Sequence, residues 1–271
     1  QLMLFRPIGV DDGIWVPFRP CDTRFDPRYG TAVIVHGWDP PIFGSDQLKG
    51  WMLETAQLIN RRFNGFINVI AWDWLDEASR ILPPDSQTVQ QASFLAIVLR
   101  FVLPTGYAGP VHFIGHSLGA RIVTTGALVL GQQGIVVPNV FPPAQVTQLD
   151  SYDWVSGSSL DQEVPSLRRY GVYVDSYYGI TNLGAHHANL WVNVPGGPGL
   201  GWPFTCASGV SGHSVDQWYR CTIPTDSPDA DPVLYQGFCA INPLPDCLNC
   251  TIGFGTSALL GGLAHRPILP T

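Results

Sequence analysis

The chain has 271 residues, of which 45% are hydrophobic and 13% charged, with a formal net charge of −7. That composition supplies a large apolar core for an α/β domain of ordinary size, and it excludes the basic footprint on which nucleic-acid binding relies. No run reaches the roughly 18 consecutive apolar residues of a membrane span, so no transmembrane segment is expected.

Taken in chain order, Thr31-Ala32-Val33-Ile34-Val35 reads as a buried strand ending at His36-Gly37-Trp38, after which Asp39-Pro40-Pro41 forbids helix and makes a loop. Ser45 or Asp46 is placed to cap a helix over 46–63, with Leu48, Trp51, Met52, Ala56 and Ile59 on one face. Residues 66–72 read as the next strand and 87–103 as a second long helix closed by Pro104. Val111-His112-Phe113-Ile114 is a short apolar strand, and 120–130 is a mostly apolar helix. Strands follow near 145–149, 170–175 and 188–194, and a helix starts near Ser214. Strands alternating with helices imply a mostly parallel sheet covered on both faces. From about Thr222 the chain is rich in Pro, Gly and Cys and reads as a tail packed on the core, so residues 1–271 are expected to form a single domain.

The six cysteines are Cys21, Cys206, Cys221, Cys239, Cys247 and Cys250. Cys247 and Cys250 make one C-x-x-C with neither a second pair nor nearby histidines, so a disulfide framework of an exported protein is expected rather than zinc. Spacing does not fix the pairing; the one bridge expected is Cys206 with Cys221, which bracket His213. Gln1 follows no basic-then-apolar leader, which reads as the mature form of a secreted protein.

Between the strand 111–114 and its helix stand Gly115-His116-Ser117-Leu118-Gly119, a G-x-S-x-G. In a nucleophile elbow the serine sits on a sharp strand-to-helix turn, and glycines are needed because the flanking backbones pass too close for side chains. The pattern alone also describes a plain glycine-rich turn; the strand before it and the helix after it favour the elbow. An activated serine needs a base, and the base needs an orienting carboxylate. On such a sheet the order is Ser, then Asp or Glu, then His, which excludes His36, His112 and His116 as bases. His213, in the turn Ser211-Gly212-His213-Ser214, is favoured over His186 and His187, which enter an apolar strand, and over His265 near the C-terminus. Asp150 emerges at the end of strand 145–149, where active sites gather in open α/β sheets. Asp175, read as ending the next strand, is its rival, and Asp153 sits in a looser position. The backbone N–H groups of Leu118 and Trp38 are the expected oxyanion donors.

These residues resemble the pancreatic-type lipase family, which includes animal phospholipases A1. The resemblance is carried by Val35-His36-Gly37-Trp38, Asn68-Val69-Ile70-Ala71-Trp72-Asp73-Trp74, Val111 to Ala120, Leu149-Asp150, Tyr173-Val174-Asp175, His187-Ala188-Asn189-Leu190-Trp191, and Gly212-His213 with Trp218-Tyr219, over about residues 30 to 222. It implies an α/β-hydrolase fold with Ser117 as nucleophile, Asp150 as acid and His213 as base, and it puts His187 in a structural strand. It further implies a secreted serine carboxylic-ester hydrolase that acts on lipid esters as a triacylglycerol lipase, phospholipase A1 or esterase, through an acyl-enzyme and without a cofactor. Ser151-Tyr152 stand where the family has Pro-Ala. The family's calcium ligands have no match among residues 161–175, so no metal is expected. Pro198 to Gly212 is too short for the family's lid. A site without a long lid stays open to water-soluble esters, with only transient contact to a lipid interface. Trp202 and Phe204 in this segment are candidates for substrate contact, core packing being the alternative. A polyester or cutin-type polymer hydrolase is the alternative activity, and a catalytically silent lipid-binding relative the alternative outside enzymes.

Overall fold

The structure is a computed structural model that describes residues 1–9, 12–19, 22–39, 48, 50–79, 85–105, 107, 109–133, 144–151, 160–178, 188, 190–193, 204–205, 211–212, 215, 219–220 and 223. The chain opens with a hairpin, β1 (Leu2–Pro7) and β2 (Gly13–Pro17), followed by β3 (Thr31–Val35), α1 (Trp51–Arg62), β4 (Asn68–Trp72) and the single turn α2 (Leu75–Ala78). Next come α3 (Asp85–Val102), β5 (Val111–His116), α4 (Leu118–Gln132), β6 (Ala144–Leu149), α5 (Leu160–Arg169), β7 (Tyr173–Tyr178) and β8 (Leu190–Asn193). A short antiparallel pair, β9 (Phe204–Thr205) with β10 (Ser211–Gly212), completes the described elements.

Among the described residues, eight strands form one sheet in the order β2-β1-β4-β3-β5-β6-β7-β8. The pairs from β4 through β3, β5, β6 and β7 to β8 are parallel, and β1 pairs antiparallel with both β2 and β4. Every residue of β3 and β4 is buried, as a parallel sheet covered on both faces requires. Side chains alternate between two cores. Val33, Val35, Ile70, Trp72, Phe113, Val146 and Val174 face Leu95 and Leu99 of α3, Ile122 and Val123 of α4, and Val164 and Leu167 of α5. Ala32, Ile34, Val69, Ala71, Ile114, Leu149 and Tyr177 face Trp51, Met52, Ala56 and Ile59 of α1, together with Val215, Tyr219 and Ile223. The sheet order, the antiparallel leading hairpin and helices on both faces make the α/β-hydrolase fold that the sequence implies.

Three differences from the sequence reading bear on the site. The hairpin β1–β2 and helix α5 have no counterpart in it. The strand placed at 170–175 runs from Tyr173 to Tyr178, so Asp175 lies inside it and not at its end. The helix expected from 46 begins, among described residues, at Trp51.

Candidate active site

The parallel strands β3, β5 and β6 all point the same way, so their carboxyl ends bring His36-Gly37-Trp38, His116-Ser117 and Asp150 to one edge. At the end of β5 the chain turns into α4 through a single residue, Ser117, with φ 54° and ψ −123°. A non-glycine residue rarely adopts this backbone, which costs on the order of 1–3 kcal/mol and persists only where the surroundings impose it. Here they do: the Ser117 amide donates to the Leu149 carbonyl of β6 at 2.9 Å, and the Ser117 carbonyl accepts from the Ala120 amide at 3.0 Å. Serine is a favoured helix cap, yet the Ser117 hydroxyl makes no capping bond. The half-buried Oγ therefore has no duty in holding the helix.

The glycines around Ser117 are fixed by close approach. A Cβ on Gly115 would lie 2.4 Å from the Gly119 oxygen, and one on Gly119 would lie 2.4 Å from both the Val35 and the His36 oxygens. A Cβ on Gly37 would lie 2.7 Å from Ser117 Cβ and 3.2 Å from Ser117 Oγ. The end of β3 is thus pressed directly onto the elbow. Gly119→Ala is expected to cost about 3 kcal/mol or more, because both obstructing atoms are backbone; in a chain of this size that is about 6–12 °C in Tm. Gly126 lies in the same helix, and its nearest neighbour would stand at 3.4 Å. Gly126→Ala is expected to be neutral or stabilising. Thermal unfolding of the two variants side by side checks the contrast.

Leu118 is buried at the first position of α4, where backbone N–H groups have no partner within the helix. Trp38, half-buried against the α3/α4 core, follows the Gly37–Ser117 contact by one residue. The two expected oxyanion donors are therefore the residues next in chain to the two that touch. Their loop is braced by residues to which the sequence reading gave no role. The fully buried His36 ring stacks on Trp74 at 5.5 Å and 20°, Trp74 Nε1 donates to the His36 carbonyl at 2.9 Å, and His36 Nδ1 lies 2.9 Å from the Gly37 carbonyl oxygen. Asp39 is tied down by its amide, which donates to the Ala78 carbonyl at 3.0 Å. The only sequence signal for this brace is the Asp73-Trp74 stretch, whose partner lies far away in the chain.

Asp150 follows β6 directly, half-buried, with φ 46°. Its amide donates to the Tyr177 carbonyl at 2.7 Å, while the preceding Leu149 carbonyl receives Ser117. Asp175 stands elsewhere. It is fully buried inside β7, opposite Thr147, and its Oδ1 accepts from Gln145 Nε2 at 2.8 Å and Thr147 Oγ1 at 2.7 Å. His112, also fully buried, reaches Thr147 Oγ1 through Nε2 at 2.7 Å. Asp175 thus belongs to a polar cluster within the sheet, and the expectation that it emerges at the edge is corrected. His116 is half-buried, with Trp51 packed against it edge-on at 5.8 Å.

His213, Asp153, His186, His187, His265, Trp202 and the six cysteines lie outside the described residues. Gly212, just before His213, pairs with Phe204 through β10 and β9. Val215, two residues after it, is fully buried in the α1-side core.

No family model matches the chain, and no curated protein matches it. Among solved structures, a type II thioesterase from the yersiniabactin NRPS/PKS biosynthetic pathway is similar at 13% identity and a TM-score of 0.36, over 66% of this chain and 87% of that one. A predicted CIB-like hydrolase from Thermoplasma acidophilum is similar at 15% identity and a TM-score of 0.37, over 70% of this chain and 86% of that one. A poly(3-hydroxybutyrate) depolymerase from Bordetella parapertussis is similar at 14% identity and a TM-score of 0.31, over 63% and 62%. Likenesses this distant bear no weight for activity.

Proposed function

We propose that this chain is a secreted serine carboxylic-ester hydrolase acting on lipid esters, a short-lid relative of the pancreatic-type lipases. The observation that carries the reading is the elbow: a serine held at φ 54° between β5 and α4, with its hydroxyl unused by the helix and Asp150 at the tip of the adjacent strand. Ser117 Oγ attacks the ester carbonyl carbon while His213 takes its proton. The carbonyl π electrons move to oxygen, where the Leu118 and Trp38 N–H groups stabilise the charge, each by about 3 kcal/mol. The tetrahedral centre collapses, the C–O bond to the alcohol breaks, and His213 returns the proton to the leaving alcohol. Water then repeats the cycle on the acyl-serine. Asp150 holds the imidazole in its tautomer and stabilises the imidazolium.

A base of this kind works only when neutral. The rate on a soluble ester is expected to fall about tenfold per pH unit once the pH drops below the range in which the His213 imidazole is neutral. Full activity at pH 4 would contradict His213 as base. The substrate class is tested by fatty-acid release from a short p-nitrophenyl ester, a long-chain triglyceride emulsion, a phospholipid and a polyester film. The short lid segment predicts hydrolysis of the soluble ester and of phospholipid with weak interfacial activation. Release from the film alone would make the chain a polymer hydrolase.

A further inference from the structure

Ser117 and Asp150 are tied to a single cross-strand pair. Leu149 of β6 stands opposite Tyr177 of β7. The Leu149 carbonyl accepts from Ser117, and the Tyr177 carbonyl accepts from Asp150. Asp150 thus takes its left-handed backbone, at φ 46°, with its amide held by the Tyr177 carbonyl.

The Tyr177 side chain is fully buried, with its phenol close enough to Asp175 for that carboxylate's charge to act on it. Asp175 is itself fixed by Gln145 and Thr147 of β6. Burial, with the Asp175 charge adding to it, pushes the Tyr177 phenol well above its usual range, so it remains a donor at working pH. The Tyr177 ring packs against Tyr219 at 6.0 Å, tilted by 47°. Tyr219 belongs, with Val215 and Ile223, to the stretch that follows His213, and all three are buried in the α1-side core. Arg220 in the same stretch is almost fully buried and forms an ion pair with Glu54 of α1, whose own side chain is half exposed.

We propose that Tyr177 is a positioning residue that registers acid against base: its carbonyl sets Asp150, and its ring, with the Glu54–Arg220 pair behind it, seats the stretch that follows His213. The inference rests on the serine-hydrolase reading above. Its chemistry is ordinary for such sites, since a displacement near 1 Å in a proton relay can cost about 10²-fold in rate. A carboxylate held against an imidazole also raises the imidazole pKa, so loosening the pair lowers it.

The test is the pH profile of kcat/KM on a soluble ester for the full-length chain and its Tyr177→Leu, Tyr177→Phe, Glu54→Gln and Asp150→Asn variants. Tyr177→Leu is expected to lower kcat by about 10–100-fold with KM within about twofold, and to move the acid limb about half a pH unit or more toward lower pH. Glu54→Gln and Tyr177→Phe are expected to move the limb the same way by less, and both keep the protein readable where Tyr177→Leu fails to fold. A merely structural role scales the whole profile with the folded fraction and leaves the limb in place. An unmoved limb in all three variants, beside an Asp150→Asn that is inactive, overturns the proposal alone. Wild-type turnover in Asp150→Asn overturns the choice of acid and the proposal with it.

Discussion

Ser117→Ala is expected to lower kcat on any ester the wild type hydrolyses by about 10⁴–10⁶-fold, with Tm unchanged within about 2 °C. The size follows from chemistry: without Oγ no acyl-enzyme forms, and what remains is binding and oxyanion stabilisation. The unchanged stability follows from the structure. Alanine keeps the Cβ, so the strain at φ 54° is the same in both proteins. The hydroxyl caps nothing, so the helix loses no bond. Ester release and thermal unfolding on the same preparations check both halves. A variant that keeps its rate reduces the glycine-flanked turn to packing and puts the nucleophile elsewhere, whereas a wild type that hydrolyses no ester favours a lipid-binding protein without catalysis.

The second large effect separates two aspartates. Asp150→Asn is expected to lose about 10⁴-fold in kcat and almost nothing in stability. Asparagine tolerates the left-handed backbone as well as aspartate does, and the amide bond to Tyr177 is untouched. Asp175→Asn is expected to show the opposite pattern. Its Oδ1 accepts from both Gln145 and Thr147 in a fully buried cluster, and asparagine brings in place of the other oxygen an Nδ2 amide whose two donors the buried cluster must satisfy. A buried donor left without an acceptor costs about 1–3 kcal/mol. The expected loss is about 2–12 °C in Tm with kcat within about tenfold of wild type. Kinetics and melting of both variants decide the matter; reversed patterns make Asp175 the acid.

The parts of this fold legible in the sequence are those governed by local pattern. The runs read at 31–35, 66–72 and 111–114 are mostly apolar because a parallel sheet buries both faces, and each coincides with a strand, Thr31–Val35, Asn68–Trp72 and Val111–His116. The face of Trp51, Met52, Ala56 and Ile59 reads as helical because its spacing is, and all four are buried. The glycines of the elbow announce close backbones, and Gly115 and Gly119 meet them. Helix α5 escapes notice because Pro165 sits inside it and charged residues surround its stripe, although Leu160, Val164 and Leu167 keep the spacing and are all buried. The β1–β2 hairpin lies at the sheet edge, where β2 is only half covered and its alternation is weak.

Long-range partners account for the remaining misses. A carboxylate in an apolar run reads as a strand end, because burying it without partners is too costly. Asp175 escapes that cost through Gln145 and Thr147 on the neighbouring strand, and nothing near Asp175 in the chain shows it. Gly37 reads as part of a loop, and only the fold presses it against Ser117. Trp74 and Tyr177 look like ordinary core aromatics until the carbonyls and rings they hold are seen.

Every step of the proposed chemistry depends on Ser117 as nucleophile. The most direct test treats the active chain with a fluorophosphonate, then maps the adduct by peptide mass spectrometry while following ester hydrolysis on the same sample. One adduct is expected, on Ser117, with activity lost in proportion to labelling and no adduct on Ser117→Ala. Absence of labelling on an actively hydrolysing protein, or a modified residue elsewhere with Ser117→Ala still active, would contradict it.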